Sequence, residues 1–93
     1  MEEIKIIFDE QNNQSLALAN DKTIGECQFD IEDNKWVIMH TGVRPEFGGR
    51  GIAKQLVLKV IEEARKRNFK IKPICSYAVK VMLGNEEFKD VLA

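Results

Sequence analysis

The chain is poor in the residues that build metal centres and disulfide frameworks. Its 93 residues include two cysteines, Cys27 and Cys75, and a single histidine, His40. Two thiols without ligand spacing make neither a zinc site nor a disulfide framework, so each is judged alone and no metal is expected. A net charge of -1 gives no global attraction to nucleic acid. No run approaches the ~18 apolar residues of a membrane span. The opening "MEEIKIIFDE" is acidic and has no secretory apolar stretch. The expectation is a cytoplasmic protein with neither nucleic acid nor membrane as partner. Repeats, linkers and low-complexity segments are missing too. With 44% hydrophobic residues, the chain reads as one domain over 1–93.

What is present falls into two periods. "EIKIIF", "SLALAN", "TIGECQFDIE" and "KWVIMHTGV" are strand-like runs separated by short polar turns, which predicts a four-strand antiparallel meander. Alternation in the third run puts Gly25, Cys27, Phe29 and Ile31 on one face, with Glu26, Gln28 and Asp30 on the other. From Ala53 the period becomes helical: Leu56, Val57, Val60, Ile61 and Ala64 form an apolar stripe. Lys54, Gln55, Lys59, Glu62, Glu63 and Lys66 take the opposite face, and Asn68 suits a left-handed terminator. "FKIKPIC" then predicts a fifth strand and "SYAVKVML" a short helix, while "NEEFKDVLA" has no assigned structure. A strand–helix–strand crossover makes the fifth strand parallel to the fourth. The fold class is therefore α+β, a mixed five-stranded sheet with helices packed on it.

Between the two periods stands "VRPEFGGRGIAKQL", with Gly48, Gly49 and Gly51 at the door of the long helix. Glycine disfavours a helix by roughly 1 kcal/mol relative to alanine. At a helix N-terminus, however, it lets an anion reach amides that have no intrahelical partner. Arg50 and Lys54 add charge, so the expected ligand carries phosphate. The string G-x-x-x-x-G-K-S/T is absent, and Lys54 occupies the third glycine position of a dinucleotide fingerprint.

The same stretch resembles the acyl-CoA-binding motif of the GNAT superfamily of N-acetyltransferases, whose core is Q/R-x-x-G-x-G/A. Gly51 and Ala53 match that core, and Val43, Pro45, Glu46 and Phe47 match its lead-in; Gly48 stands where the family has Arg or Gln. The run from His40 to Met82 is similar to a short GNAT-like subfamily. The resemblance implies a minimal GNAT-like fold that binds acetyl-CoA or another acyl-CoA where the fourth and fifth strands part. Thr41 and Val43 would line the pantetheine arm, and Gly48, Gly49, Arg50, Gly51, Ile52, Ala53 and Lys54 would hold the pyrophosphate. Pro73, which cannot donate to a ladder, fits either that parting or an ordinary edge strand.

Three residues are candidates for the chemistry. Cys75 lies before a helix that Ser76 is placed to cap, where a thiol's pKa can fall. The subfamily carries a cysteine at this position, as covalent acyl acceptor or as acid for the leaving thiolate; a buried structural thiol is the alternative. His40 suits general-base work, or is a structural histidine, and a one-residue slip of register decides where it points. Many GNAT enzymes protonate the thiolate with a tyrosine on the last helix. Here Val81, Met82 and Leu83 stand instead, leaving Tyr77 at the helix start as the substitute. Cys27 reads as core packing, and Lys66, Arg67, Lys70 and Lys72 as a solubilising face. The resemblance implies acetyl transfer from acetyl-CoA to an amine, a protein amine among the candidates. A non-catalytic CoA-binding module and a small interaction subunit are the alternatives. The oligomeric state stays open, a dimer included.

Overall fold

Polar two-residue turns set the registers of the first half of the chain. The computed structural model describes residues 3–93. Strands β1 (Ile4–Asp9), β2 (Gln14–Ala19), β3 (Lys22–Glu32) and β4 (Lys35–Val43) form the expected antiparallel meander. Asn20 and Asp21 join β2 to β3, and Asp33 and Asn34 join β3 to β4, all four at positive φ. That is the type I′ geometry whose twist suits a hairpin, built from the two residue types that tolerate it best after glycine. Helix α1 (Ile52–Lys66) then crosses to β5 (Lys70–Pro73), parallel to β4, and α2 (Ser76–Met82) follows. The sheet order is β1-β2-β3-β4-β5.

Helix α1 packs against all five strands. Its stripe of Leu56, Val57, Val60, Ile61 and Ala64 is buried against Ala17, Cys27, Phe29, Trp36, Ile38 and Ile71. Burying each large aliphatic side chain contributes about 1.5–3 kcal/mol. The buried Ser15 Oγ donates to the Leu56 carbonyl at 2.8 Å, pinning the first turns of α1 to β2. At the other end of α1, Asn68 has φ 62 and the Phe69 amide donates to the Ala64 carbonyl at 2.9 Å, the left-handed termination expected. No helix among the described residues is long and apolar enough to cross a membrane.

The structure corrects three local expectations. Ile31 is 52% exposed: it keeps the face of Phe29 but sits beside the Asp33–Asn34 turn, beyond the helix layer. Strand β5 stops at Pro73 rather than Cys75, and its outer edge is partly covered by the C-terminal segment. There the Ile71 amide donates to Val91 and the Ala93 amide to Ile71, so the tail is ordered with Phe88 and Val91 buried. Lys66, Lys70 and Lys72 are exposed as expected of a solubilising face, but Lys66 and Arg67 also form ion pairs the sequence does not announce, with Glu62 (3.3 Å) and Glu10 (3.1 Å). Glu63, expected on the polar face, is buried against Arg67, Lys59 and Lys66.

The Arg67 hydrogen bond, followed by the charge of Lys66, holds the Glu63 carboxyl below its ordinary value. A depressed carboxyl stabilises the fold above its unfolded-state pKa, and that contribution is lost as pH falls through the folded-state pKa. Glu63→Gln is therefore expected to cost about 1 kcal/mol at neutral pH. Urea unfolding should show wild type and variant converging at acid pH.

Two bulges change the phase of the strands. In the β2–β3 ladder Ala17 pairs with Gly25 and Leu18 with Thr23, so Ile24 is the extra residue. In the β3–β4 ladder Gln28 pairs with His40 and Phe29 with Ile38, which makes Met39 the extra residue on β4. Without that insertion Ile38, His40 and Gly42 would share the core face. With it, Thr41 and Val43 take that face and His40 turns away.

Candidate active site

The glycine stretch is shaped by backbone geometry. After β4 the Arg44 amide donates to the Ile24 carbonyl at 2.8 Å, and Pro45–Phe47 form a 3-10 turn. Gly49 and Gly51 both have φ 76, the left-handed region that glycine enters without cost. A Cβ at either position would meet nothing within 4 Å, so conformation, not crowding, demands glycine there, and the space above the loop is open. Gly48 has an ordinary φ of -65, and its Cβ would approach only the Pro45 carbonyl, at 3.2 Å. The φ of Gly48 admits a side chain, at the cost of a tight approach to the Pro45 carbonyl.

Gly51 is the N-cap of α1, and the helix's first α-type hydrogen bond runs from the Gln55 amide to the Gly51 carbonyl at 3.2 Å. The amides of Ile52, Ala53 and Lys54 precede it, at the positive end of a 15-residue helix. The Arg50 guanidinium lies 5.1 Å from the centre of the Phe47 ring. Lys54, in the first turn, lines a cavity of about 330 Å³ with Tyr77, Lys80, Val81 and Asn85. An open loop, a positive helix end and nearby cations are the features that suit an anion.

The expected parting of β4 and β5 is present. Their ladder ends at Ile38 and Pro73, where the Ile74 and Cys75 amides both donate to the Ile38 carbonyl at 3.0 and 3.1 Å. Strand β4 runs on from Met39 to Val43 without a β5 partner. Pro73 thus occupies both environments proposed for it, an edge strand and the last rung before the parting.

Cys75 stands at this junction and is itself the N-cap of α2, in place of Ser76. Its backbone is extended (φ -64, ψ 142) while Ser76 is already helical, so Cys75 is the residue whose side chain reaches back into the first turn. Its Sγ accepts the Ala78 amide at 3.3 Å. Thr41 Oγ1 lies 3.4 Å from Cys75 Sγ and 3.5 Å from Cys27 Sγ. Cys27 is fully enclosed, and burial pushes its thiol up to about 11, opposed by the Thr41 hydrogen bond.

His40 is on the other side of β4. Its Nε2 is 3.0 Å from Glu26 Oε2, and its side chain is half exposed. The pair passes over Gly42: a Cβ there would come within 2.8 Å of Glu26 Oε2 and 3.0 Å of His40 Nε2. Beside it, Glu26, Gly42, Val43 and Arg44 line a cavity of about 300 Å³ with Thr23 and Ile24.

The structure therefore brings Cys75 and Thr41 together where β4 and β5 part, and β4 leads on from Thr41 to the glycine loop. It does not bring His40 or Tyr77 into hydrogen-bond contact with Cys75 among the described residues. Tyr77 is half-buried against the core and faces the Lys54 cavity. Cys27 is buried in the core, the packing role expected for it. Two side-chain contacts were not visible in the sequence. That of Cys27 with Thr41 is hidden because the facing of Thr41 depends on the Met39 bulge. Glu26 is hidden because its partner lies 14 positions away across a strand pair. No group of three or more His, Cys, Asp or Glu able to hold a metal occurs among the described residues.

Residues 14–91 match the family described as GCN5-related N-acetyl-transferase. Among solved structures, a GCN5-like putative N-acetyltransferase from Staphylococcus aureus is similar over 100% of this chain and 91% of its own, with 30% identity and a TM-score of 0.75. A GCN5-related N-acetyltransferase from Sphaerobacter thermophilus shares 26% identity over 67% of this chain, at a TM-score of 0.63. This chain spans 21% of that protein. Naa50 from Arabidopsis thaliana, in complex with the bisubstrate analogue CoA-Ac-MVNAL, is 26% identical over 67% of this chain and 45% of its own, at a TM-score of 0.52. The comparison with curated proteins returned no match. On its fold, its glycine loop and the extent of the match, the chain belongs to the GCN5-related N-acetyl-transferase family.

Proposed function

We propose that this protein transfers an acetyl group from acetyl-CoA to an amine, with Cys75 as the acyl acceptor. One observation carries the reading: β4 and β5 part beside Cys75, the N-cap of α2, and the unpaired stretch of β4 leads to the glycine loop that starts α1. Acetyl-CoA, the donor substrate, has a pyrophosphate at one end and a thioester at the other. The loop fits the first, since the space beside Gly49 and Gly51 is open and Arg50 and Lys54 supply charge. The unpartnered backbone of β4 at Thr41 and Val43 suits the amides of the pantetheine arm. The bisubstrate complex of Naa50 supports a CoA thioester in this fold.

In the reaction the Cys75 thiolate attacks the thioester carbonyl carbon. A bond from Sγ to that carbon forms, the carbon–sulfur bond to CoA breaks, and CoA leaves as a thiolate that takes up a proton. A neutral amine then attacks acetyl-Cys75, the amide forms, the amine gives up a proton, and Cys75 returns as thiolate. The Ala78 amide donates to Cys75 Sγ and fixes the sulfur at the start of α2. His40, oriented by Glu26 on the outward face, is the base offered to an arriving amine. Tyr77 lines the Lys54 cavity and has the secondary role of contacting the donor. We place its action in the cytoplasm, since two cysteines without a disulfide suit a reducing compartment.

Two measurements test the reading. Calorimetry should detect CoA binding, and incubation with acetyl-CoA should add about 42 Da, one acetyl group, to the intact mass. CoA binding without an adduct would leave a binding module; no binding at millimolar CoA would remove both. His40→Gln should lower turnover by about 100-fold with the adduct still forming, which steady-state kinetics and mass together would show.

A further inference from the structure

We propose that Thr41 is a positioning residue for the Cys75 thiolate, its hydroxyl joining that sulfur to the buried thiol of Cys27. The inference rests on the reading of Cys75 as acyl acceptor and deepens it. Thr41 Oγ1 stands between the two sulfurs, 3.4 Å from Cys75 and 3.5 Å from Cys27. A hydroxyl has one proton to give and lone pairs to accept with, so it donates to one sulfur while accepting from the other.

Which way the chain runs depends on Cys75. When Cys75 is a thiol, its S–H donates to Thr41 and Thr41 donates to Cys27. When Cys75 loses its proton, the order reverses: Cys27 S–H donates to Thr41, and Thr41 O–H donates to the Cys75 sulfur. Cys27 suits the donor role because it is fully enclosed and stays protonated at neutral pH. The thiolate then holds two donors, the Thr41 hydroxyl and the Ala78 amide at 3.3 Å. The only proton lost is the one Cys75 releases.

The arrangement depends on local architecture. The extra residue Met39 rotates β4 so that Thr41, and not His40, meets the cysteine side of the sheet, directly opposite Cys27. The neighbouring elements carry other titratable side chains: His40 and Glu26 on the far face, Lys72 on β5, Lys54 on α1 and Tyr77 on α2. Cys27 is the one that Thr41 connects to Cys75 by hydrogen bonds among the described residues.

The test is alkylation of the full chain by iodoacetamide, without acetyl-CoA, with the rate at Cys75 followed against pH by mass spectrometry. Thr41→Val, nearly equal in shape, should raise the midpoint of the rate profile by about one pH unit and slow alkylation about tenfold at neutral pH. Thr41→Ser should restore the wild-type midpoint, and Cys27→Ala should raise it by less than Thr41→Val. Identical profiles for wild type and Thr41→Val, or a shift in Thr41→Ser as large as in Thr41→Val, would overturn the proposal. Should Thr41→Val fail to fold, an unchanged midpoint in Cys27→Ala overturns it. Failure of the acyl-acceptor reading is separate: it shows as no acetyl adduct in wild type, whatever the alkylation profile.

Discussion

Cys75→Ser is expected to abolish the acetyl adduct and to lower turnover by at least about 100-fold, while folding as stably as wild type. The two halves of this result have different causes. Serine is among the strongest N-cap residues, and its oxygen can take over the Ala78 amide that Cys75 Sγ now accepts. Its hydroxyl stays protonated where a thiol ionises, and no histidine lies against it as base, because His40 is engaged with Glu26 on the other face. Cys75→Ala loses the cap as well and should cost about 0.5–1 kcal/mol of stability. Thermal unfolding and intact mass on the two variants separate loss of the nucleophile from loss of the helix start. Turnover surviving in Cys75→Ser would make the thiol a cap and nothing more.

The second large effect is at the loop. Gly51→Val should weaken CoA binding by at least about tenfold and also destabilise the fold, because a side chain at φ 76 costs roughly 1–2 kcal/mol. A β-branched residue is the harshest choice there. The affinity loss follows from a tilted helix start and from methyl groups placed where the pyrophosphate would lie. Gly48→Arg is the contrasting change, since Gly48 has an ordinary φ and its Cβ would meet only the Pro45 carbonyl, at 3.2 Å. It should cost less stability than Gly51→Val and tighten CoA binding several-fold by adding a charged donor. Calorimetry and urea unfolding on both variants give the four numbers needed.

The fold was legible wherever periodicity and turn chemistry agreed. The Asn–Asp and Asp–Asn turns, the stripe from Leu56 to Ala64 and the left-handed Asn68 all appear as expected. The parallel fifth strand follows from the crossover rule alone. The glycine motif was legible as the start of the long helix, and its glycines answer to conformation and not to crowding: Gly49 and Gly51 are required by φ.

The chemistry was less legible, because one residue sets its geometry. Met39 gives no sequence signal as a bulge, yet it decides that Thr41 meets Cys27 and Cys75 and that His40 meets Glu26. Alternation read straight through β4 puts Ile38 and His40 on the same face. Glu63 was misread for a similar reason. Its position on the polar side of α1 says nothing of the three cations that close over it.

The central claim is that a CoA thioester lies along the β4–β5 parting with its phosphates on the glycine loop. Its most direct test is a titration of labelled protein with CoA, followed by backbone amide resonances. The account predicts that the amides of Gly49 to Lys54 move together with those of Thr41 to Val43 and with Cys75, while the Arg65–Asp90 contact at the opposite end of α1 stays still. Shifts confined to other surfaces, or none at millimolar CoA, would contradict it.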